Sequence, residues 1–246
     1  MRLAITFASK NEVILPIHYN ELLQGLIYHL LDKALAEKLH NEGFVYRKRK
    51  FKLFTFSRIF GKLKKEGDKF KISSPFKLFI SSPYTEMIQS FTSNLIKKPE
   101  IRLDQNKIWI ESIEVLATPE IKKEIFIRML SPLTIYSTLY SPDGKKKTYY
   151  YNPSEKEFPM LIKENIIKKY KAFYGKMPSS EEFFIEPIKL DNRNEKIVIY
   201  KGFVIKGWMG KFKLRGEPEL LKLAYDAGLG AKNSQGFGMF EIISPR

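Results

Sequence analysis

Cysteine is absent from this chain of 246 residues, so disulfide bonds, thiolate zinc sites and a cysteine nucleophile are all excluded. Histidine is scarce: only His18, His29 and His40 have side chains whose ordinary pKa lies near neutral pH. Long apolar runs are missing as well, since no stretch approaches the ~20 residues of a membrane span. The first residues alternate like a strand and do not resemble a signal peptide, so we expect a cytoplasmic protein with no membrane partner.

Acidic residues are few relative to basic ones, because 27 Asp and Glu stand against 43 Lys and Arg and leave a net charge of +16. Such an excess is typical of proteins that attract a polyanion, and it favours a nucleic-acid partner. A generally lysine-rich composition is the alternative explanation. The carboxylates are scattered, and Glu111 and Glu114 would face opposite sides of one strand. The sequence therefore gives no sign of a two-metal nuclease site, and we expect no cofactor.

Glycine is concentrated in one segment, residues 228–238, which holds four glycines and is called the glycine loop below. Because glycine has no Cβ, its backbone amides can approach an anion closely, and the polar side chains between the glycines add donors. The predicted RNA-binding residues of the loop are Gly228, Gly230, Lys232, Asn233, Ser234, Gln235, Gly236 and Gly238. In the alternative interpretation, the glycines only allow the last helix to pack tightly against the first domain.

The order of elements around the glycine loop excludes the commonest cofactor fold. A predicted helix over residues 217–227 precedes the loop, and a short predicted strand over residues 239–243 follows it. A dinucleotide-binding turn lies instead between a strand and the helix that follows. A nucleotide cofactor is therefore not expected.

The first half of the chain has a β-α-β-β-α-β pattern. A strand is predicted over Arg2–Ala8, and from Asn20 a continuous apolar stripe from Leu22 to Leu35 predicts one long helix. Alternation of apolar and polar residues predicts a strand over 50–58. The remaining predicted elements are strands near 69–73 and 76–82, a helix over 84–96 and a strand over 107–116. This order is that of the ferredoxin-like module.

The order repeats in outline after residues 117–120, where we place a domain boundary. The predicted elements of the second half are a strand over 124–130, a helix over 155–174, strands near 183–190 and 196–214, and the helix and strand that flank the glycine loop. We predict an α+β protein of two tandem ferredoxin-like, RRM-like domains over residues 1–118 and 119–246. Because the halves share element order and not residue identity, a single larger α+β domain is the alternative.

A glycine loop that closes the second half of a basic chain resembles the CRISPR repeat-processing endoribonucleases, the Cas6 family of RAMP proteins. Other residues carry the same resemblance across both halves: Tyr19-Asn20 and residues 23–28 at the first helix, His40 near its end, and residues 52–57 in the next strand. The resemblance implies a metal-independent cut within the repeat of precursor CRISPR RNA. It implies a 2′,3′-cyclic phosphate on the upstream fragment and a 5′-hydroxyl on the downstream guide RNA.

The resemblance leaves several partners and one rival function open. CRISPR repeat RNA is the implied substrate, while retention of the product, an effector complex that receives it and a second copy of the chain remain open. The rival is a non-catalytic subunit that binds repeat RNA within a CRISPR effector complex. A basic RNA-binding protein outside CRISPR biology would require the glycine loop and the helix motif to be coincidences.

The implied cleavage needs a group that takes the proton of the 2′-hydroxyl, a group that protonates the departing 5′-oxygen, and positive charge near the phosphorus. His40 is the first candidate for proton transfer, because the reference pKa of histidine is about 6.5. Lys52 suits charge stabilisation, and Tyr28 suits donation to the leaving oxygen. In one unbroken helix Tyr28 and His40 would lie ~18 Å apart. His29 therefore stays open as an alternative, whereas His18 is expected to be a surface or capping residue.

Basic segments with interleaved aromatic residues are typical of grooves that bind RNA, and residues 46–54 and 201–215 have this composition. The basic residues of the second segment share one face if the strand is regular, and Trp208 is expected in the core. The predicted RNA-binding residues of the two segments are Arg47, Lys48, Arg49, Lys50, Lys206, Lys211, Lys213 and Arg215. Lysines at 145–147 followed by tyrosines at 149–151 predict a hairpin tip and its returning strand.

Overall fold

The first strand, β1 (Arg2–Ala8), lies in the middle of the first sheet. Leu3, Ile5 and Phe7 alternate along it, and each is at most 1% exposed, because a strand turns every second side chain to the same face. The structure is a computed structural model and describes residues 1–140 and 143–244. The apolar alternation of this strand therefore places the first core against one face of the sheet.

The first half continues with strands and helices in the predicted ferredoxin-like order. Its further elements are β2 (Val13–Pro16), α1 (Asn20–His29), α2 (Lys33–Glu37), β3 (Phe44–Tyr46), β4 (Arg49–Phe51), β5 (Thr55–Phe56), β6 (Leu63–Glu66), β7 (Lys69–Ile72), β8 (Phe76–Ser81), α3 (Thr85–Ile96), β9 (Ile101–Leu103) and β10 (Asn106–Leu116). The main sheet has the strand order β5-β8-β1-β10-β9, and β2, β7 and β6 form a small separate sheet.

The second half has its own sheet and two excursions from it. Its elements are β11 (Glu124–Met129), β12 (Tyr136–Tyr140), β13 (Lys146–Tyr150), α4 (Glu157–Tyr174), β14 (Phe183–Ile188), β15 (Glu195–Tyr200), β16 (Phe203–Trp208), β17 (Lys211–Gly216), α5 (Pro218–Ala227) and β18 (Phe240–Ile243). The main sheet has the order β14-β17-β11-β18. The pairs β12–β13 and β15–β16 are hairpins outside it, and the first of them confirms the hairpin predicted around the lysines at 145–147.

The two main sheets share one topology. The order β10-β1-β8-β5 in the first half corresponds strand for strand to β18-β11-β17-β14 in the second, and all of these pairs are antiparallel. In each half the fourth strand of the module lies beside the first, as the ferredoxin-like order requires. The predicted α+β fold of two tandem ferredoxin-like modules is confirmed, while the boundary between residues 118 and 119 stays a prediction.

A buried arginine joins the two halves. The guanidinium of Arg2 donates to the carbonyl oxygens of Phe240 at 2.7 Å and Tyr225 at 2.5 Å, and it lies 3.6 Å from the centroid of the Tyr225 ring. Burial lowers the pKa of Arg2 to about 10, so the side chain remains charged at neutral pH. The first strand is thereby fixed to the last helix and last strand of the chain.

The long helix predicted from Asn20 is wrong in one respect, because it ends at His29 and a second helix begins at Lys33. Asp32 lies between them with an extended backbone, at φ −58° and ψ 139°. Its amide donates to Ser90 Oγ at 2.9 Å, and its carboxylate accepts from Ser90 Oγ at 2.7 Å and Asn94 Nδ2 at 3.0 Å. Hydrogen bonds from α3 stabilise the break, so no local glycine or proline is needed.

The continuous strand predicted over residues 50–58 is also wrong. Strand β4 ends at Phe51, Leu53 has φ +52°, and β5 begins at Thr55. Leu53 packs into the core of the second half, whereas Phe54 packs into the core of the first half. The chain leaves regular pairing here because two neighbouring side chains fill two different cores.

The segment predicted as strand over residues 196–214 is divided by turns into β15, β16 and β17. The expectation that Lys206, Lys211, Lys213 and Arg215 share one face fails for Lys206, which lies on β16 before the turn at Met209 and Gly210. The other three, Lys211, Lys213 and Arg215, do share one face of β17. Trp208 is 3% exposed, which confirms its predicted place in the core.

Candidate active site

The break after α1 brings together two side chains that a straight helix would separate. After α2 the chain makes a short π-helical turn at Lys38–Glu42, and Gly43 ends it with φ +62°. The ring of His40 then lies edge-to-face with the ring of Tyr28, with 5.8 Å between centroids and an interplanar angle of 79°. An unbroken helix would have placed these residues ~18 Å apart. The structure therefore removes the geometric objection to a shared site.

Lys52 reaches the same place from the following segment. Its Nζ donates to the backbone carbonyl oxygen of His40, and its side chain is half-buried. Burial, followed by the neighbouring charge of Lys50, lowers the pKa of Lys52 from its ordinary value. Tyr28, His40 and Lys52 are thus linked through His40, which contacts the other two.

The imidazole of His40 is exposed, and one of its nitrogens has a partner. Nδ1 lies 2.9 Å from Oδ1 of Asn41. An amide oxygen only accepts hydrogen bonds, so Nδ1 carries the hydrogen. Nε2 of the neutral ring is then the nitrogen with a free lone pair, which is the arrangement a proton acceptor requires.

Tyr28 is held by aromatic packing and keeps its proton. Its ring packs edge-to-face on Phe54, with 5.6 Å between centroids. Burial, with a smaller contribution from Tyr200, raises the pKa of Tyr28 to about 12. The hydroxyl is therefore protonated at neutral pH, and it can donate a hydrogen bond but cannot act as a base.

The glycine loop is packed against both halves of the molecule. A Cβ on Gly228 would lie 2.7 Å from Asn233 Nδ2, one on Gly230 would lie 2.3 Å from Thr134 O, and one on Gly238 would lie 2.0 Å from Leu229 O. The amides of Gly228 and Gly238 donate to the carbonyl oxygens of Ala224 and Pro132. Close packing thus accounts for the absence of a side chain at Gly228, Gly230 and Gly238, while the RNA-binding role predicted for the loop stays a prediction.

Side chains of the first half hold the carbonyl groups of the loop. Nδ2 of Asn20 donates to Gln235 O at 2.7 Å, and Nε2 of Gln24 donates to Ser234 O at 2.6 Å. Thr55 Oγ1 donates to Phe237 O at 2.9 Å. Because Asn20 and Gln24 belong to α1, the helix that carries Tyr28 also fixes the position of the glycine loop.

A cavity of about 310 Å³ lies between the loop and the segment that carries Lys52. It is lined mainly by basic and polar side chains, together with Phe51, Leu53, Ile135, Tyr136 and Leu161. Its charged and polar lining residues are Arg49, Lys50, Lys52, Glu164, Asn165, Lys168, Lys169, Lys232, Asn233, Ser234 and Gln235. The carboxylate of Glu164 is paired with Lys168 at 2.7 Å, so the wall is strongly positive. A chain of phosphates is the complementary ligand.

The basic residues predicted at 47–50 surround the tip of the β3–β4 hairpin. Arg47, Lys48, Arg49 and Lys50 are all exposed. Arg47 has φ +52°, and its guanidinium lies 5.4 Å from the centroid of the Tyr46 ring. Two members of this group, Arg49 and Lys50, also line the cavity, which places them beside the glycine loop.

The basic residues of the second segment are partly engaged with carboxylates. Lys206 pairs with Glu195 at 3.0 Å, Lys213 with Glu124 at 3.0 Å, and Arg215 approaches Glu182 at 3.9 Å. All of these pairs involve exposed or half-exposed groups, which salt and solvent screen. An RNA ligand at this face would compete with the resident carboxylates.

The other histidines lie at other places. Nε2 of His29 is 2.9 Å from Nζ of Lys98, which follows α3. His18 is half-buried and lines a second cavity of about 300 Å³ beside Tyr19 and Arg58. Within the described ranges 1–140 and 143–244, no three His, Asp or Glu side chains are grouped closely enough to hold a metal ion. No helix in those ranges is long and apolar enough to cross a membrane.

Sequence analysis missed the residues that support the loop, namely Asn20, Gln24 and Lys169. A signal for Lys169 was present, since it follows Ile162 and Ile166 on the apolar stripe of α4 at positions where a core residue is expected. Asn20 was predicted as the start of a helix and as part of the family resemblance, with no contact to the loop. Its tertiary role depends on where residues 234–236 lie, which local patterns do not show.

Known proteins resemble this chain along nearly its whole length. The model of the CRISPR-associated protein Cas6 N-terminal family matches residues 14–114, and that of the Cas6 C-terminal family matches residues 116–242. The CRISPR-associated endoribonuclease Cas6 1 of Methanocaldococcus jannaschii is 31% identical, with 97% of this chain and 91% of that protein covered. The CRISPR-associated endoribonuclease Cas6 of Pyrococcus furiosus is 31% identical, with 92% and 83% covered.

A solved structure gives the same result for the fold. The structure of a Cas6-related protein from Pyrococcus furiosus superposes with a TM-score of 0.87 at 27% sequence identity. The superposition covers 100% of this chain and 99% of the other. The tandem arrangement of the two modules is therefore shared with that structure over its whole length.

Proposed function

The chain belongs to the CRISPR-associated Cas6 family, and from this membership and the geometry of its site we propose that it is an endoribonuclease that cuts precursor CRISPR RNA within the repeats. In the proposed reaction the 2′-oxygen of one nucleotide attacks the adjacent phosphorus, and the bond from phosphorus to the 5′-oxygen breaks. The 2′-hydroxyl loses its proton to a group of the protein, and the departing 5′-oxygen, stabilised by a hydrogen bond from the protein, takes its proton from solvent. The products are a 2′,3′-cyclic phosphate and a 5′-hydroxyl, and no metal ion takes part.

The observation that carries the proposal is the grouping of Tyr28, His40 and Lys52. These residues come from a helix, a turn and an irregular segment, and the break at Asp32 is what brings them together. Such a combination supplies a proton acceptor, a proton or hydrogen-bond donor and a positive charge, which are the three requirements of the reaction.

Each residue has a role that follows from its surroundings. Nε2 of His40 takes the proton of the 2′-hydroxyl, because Nδ1 is occupied by Asn41. The ammonium of Lys52 stabilises the negative charge that develops on the phosphorane oxygens. The hydroxyl of Tyr28, which stays protonated, donates a hydrogen bond to the reacting phosphate or the departing oxygen.

RNA is held by the positive wall of the cavity and the β3–β4 hairpin beside it. Lys232, Ser234 and Gln235 of the glycine loop and Arg49 and Lys50 of the hairpin all line this cavity, and we assign them to the RNA backbone. Asn233 contributes indirectly, since its side chain is occupied within the loop. The residues on β16 and β17 form a second, more weakly positive surface for RNA.

The test is cleavage of an RNA that contains the CRISPR repeat of the source organism, in excess EDTA, by the wild type and by His40→Ala. A matched RNA carries a 2′-deoxy substitution at the cut position, and His29→Ala serves as the control variant. We expect the wild type to cut in EDTA, His29→Ala to retain this activity, and His40→Ala to lose about 10²–10⁴-fold in rate. The deoxy RNA, which has no 2′-oxygen to attack the phosphorus, should not be cut.

The alternative function is that of a non-catalytic subunit that binds repeat RNA in an effector complex. This alternative is favoured by the hydrogen bond from Lys52 to the backbone of His40, because the bond occupies the ammonium group in the free protein. Tight binding of repeat RNA with no cut in any condition would establish this alternative. If His40→Ala cuts at the wild-type rate, the proposed substrate stands and another residue has the catalytic role.

The proposed function also assigns partners and a location. CRISPR repeat RNA is the substrate, and we expect the product to stay bound for transfer to an effector complex. A homodimer stays a prediction, which sedimentation of the free protein and of its RNA complex tests. The proposed location is the cytoplasm, where fractionation of the source cells should find the protein with its RNA.

A further inference from the structure

A lysine lies within the core of the second half. Lys169 is on the inner face of α4, next to the buried Ile166 and Tyr170, and it is 2% exposed. In the part of the chain that the structure describes, it forms no ion pair with a carboxylate. A buried amine without a counter-ion is unfavourable unless its hydrogens are bonded, so its partners decide what it does.

Among the described residues, the hydrogen-bond partners of Lys169 all belong to the glycine loop. Nζ donates to Gly228 O at 2.7 Å, to Gly230 O at 2.9 Å and to Asn233 Oδ1 at 2.7 Å. An ammonium group has three hydrogens, and the loop offers three acceptors. The charged form of Lys169 can therefore donate one hydrogen to each of the three loop acceptors.

Asn233 extends this arrangement to the far side of the loop. While its Oδ1 accepts from Lys169, its Nδ2 donates to Leu229 O at 2.8 Å and to Phe237 O at 3.0 Å. The pair therefore connects the beginning, the middle and the end of the loop from within. The side chains of Lys232, Ser234 and Gln235, which line the cavity beside Asn233, take no part in these bonds.

The same pair, Lys169 and Asn233, determines where the loop is held against the first half. The carbonyl oxygens of Ser234 and Gln235, which follow Asn233, accept from Gln24 and Asn20 of α1. If the loop lost its internal support, these bonds and the side chains facing the cavity would lose their fixed positions. The cavity would keep its charge but not its shape.

We propose that Lys169 is a positioning residue for the RNA, which acts by fixing the glycine loop in the conformation that presents Lys232, Ser234 and Gln235 to the RNA backbone. The proposal rests on the proposed function insofar as the cavity binds RNA. Lys169 borders the cavity, but its ammonium is bonded to Gly228, Gly230 and Asn233 and is not assigned to the RNA or to the catalytic group. Its contribution is to affinity and register, through the order of the loop.

At neutral pH the charged and neutral forms of Lys169 are nearly balanced. Burial lowers the pKa of Lys169 to about 7. A neutral amine has two hydrogens for three acceptors, so loss of the proton removes one of the ties to the loop. The phosphates of a bound RNA in the adjoining cavity would favour the charged form and thereby strengthen the support of the loop.

The test compares full-length Lys169→Met with Lys163→Met, which removes the same charge from the same helix outside the cavity. Amide hydrogen exchange of residues 228–238 in the free protein measures the order of the loop. Repeat-RNA affinity and single-turnover cleavage at saturating RNA are measured in parallel. For Lys169→Met we expect faster exchange in the loop and an RNA affinity lower by about tenfold or more. The rate at saturating RNA should stay within about threefold of the wild type.

A second variant keeps the test decisive if Lys169→Met does not fold. Asn233→Ala removes one acceptor of the ammonium without touching α4, and it should also speed exchange in the loop and weaken RNA binding. Wild-type RNA affinity in either folded variant would overturn the proposal, as would a loss of the saturated rate with unchanged affinity. A wild-type protein that does not bind repeat RNA would overturn the proposed function, and this inference with it.

Discussion

The rings of Tyr28 and His40 pack edge-to-face with 5.8 Å between their centroids, although their positions are twelve apart in the sequence. Their contact exists because α1 ends at His29 and the chain turns back before His40. The turn depends on Asp32, whose partners lie on α3. The proposed active site is thus a product of tertiary hydrogen bonds and not of one helix.

The hydroxyl of Tyr28 can be tested separately from its ring. Tyr28→Phe keeps the packing against Phe54 and His40, so the fold and the thermal midpoint should change little. The lost hydrogen bond to the reacting phosphate or leaving oxygen should lower the single-turnover rate by about tenfold, which corresponds to ~1.4 kcal/mol. Repeat-RNA affinity, measured by filter binding, should stay within about threefold. Cleavage by Tyr28→Phe at the wild-type rate would remove the hydroxyl from the mechanism.

The helix break predicts a remote effect on cleavage. Asp32→Ala removes the two acceptor bonds to α3, so the segment after α1 loses its fixed direction and His40 is no longer held against Tyr28. We expect a cleavage rate at saturating RNA lower by about tenfold, because misplaced catalytic groups lower the rate more than the binding. Asp191→Ala, which removes an exposed aspartate from the second half, is the matched control. Equal rates for the two variants would show that the break does not depend on Asp32.

The fold was largely predictable because its main signals are local. Alternation in β1 and the order of strands and helices in both halves were sufficient to predict two ferredoxin-like modules. Two of the three elements that failed did so where a residue had partners far along the chain. Asp32 interrupts an apolar helical stripe through bonds to α3, and Leu53 leaves a strand pattern to fill the core of the other half.

The sequence suggested residues for the candidate site, whose roles stay predictions, but it did not give their geometry. Residue chemistry and family resemblance selected Tyr28, His40 and Lys52. The unbroken helix that the sequence predicted would nevertheless have kept Tyr28 and His40 far apart. The sequence drew attention to the four glycines, but it could not distinguish an anion-binding loop from close packing. That distinction depends on Thr134, Leu229 and Lys169, whose positions follow only from the packing of the second half.

Close packing of the glycine loop predicts a contrast between two glycine substitutions. Gly238 has φ +80°, and an added Cβ would lie 2.0 Å from Leu229 O, whereas Gly175 has φ +67° with open space around it. Gly175→Ala should lose about 1–2 kcal/mol of unfolding free energy from backbone strain alone. Gly238→Ala should lose at least about 2 kcal/mol more, because the backbone must move. Urea unfolding of both variants measures the difference, and equal losses would contradict the packed conformation of the loop.

The depressed pKa of Lys169 predicts how its contribution to stability changes with pH. The pKa is about 7 in the folded protein against 10.5 for an ordinary lysine. Below pH 7 both states hold the proton, and the folded state bears the full cost of a buried charge. Between pH 7 and 10.5 the unfolded state binds more protons, so the free energy of unfolding rises with pH, by at most about 1.4 kcal/mol per unit.

Lys169→Met isolates this contribution, because every other titratable group is present in both proteins. The charged groups that line the same cavity, Glu164, Lys168 and Lys232, remain and cancel in the comparison. The unfolding free energy of the wild type minus that of Lys169→Met should therefore increase from pH 7 to pH 9 in urea titrations. In the wild type the glycine loop should become less ordered from pH 7 to pH 9, because the neutral amine donates one hydrogen bond fewer to the loop. A difference that stays flat over this range would mean that Lys169 keeps its proton when buried. The three loop acceptors would then outweigh desolvation.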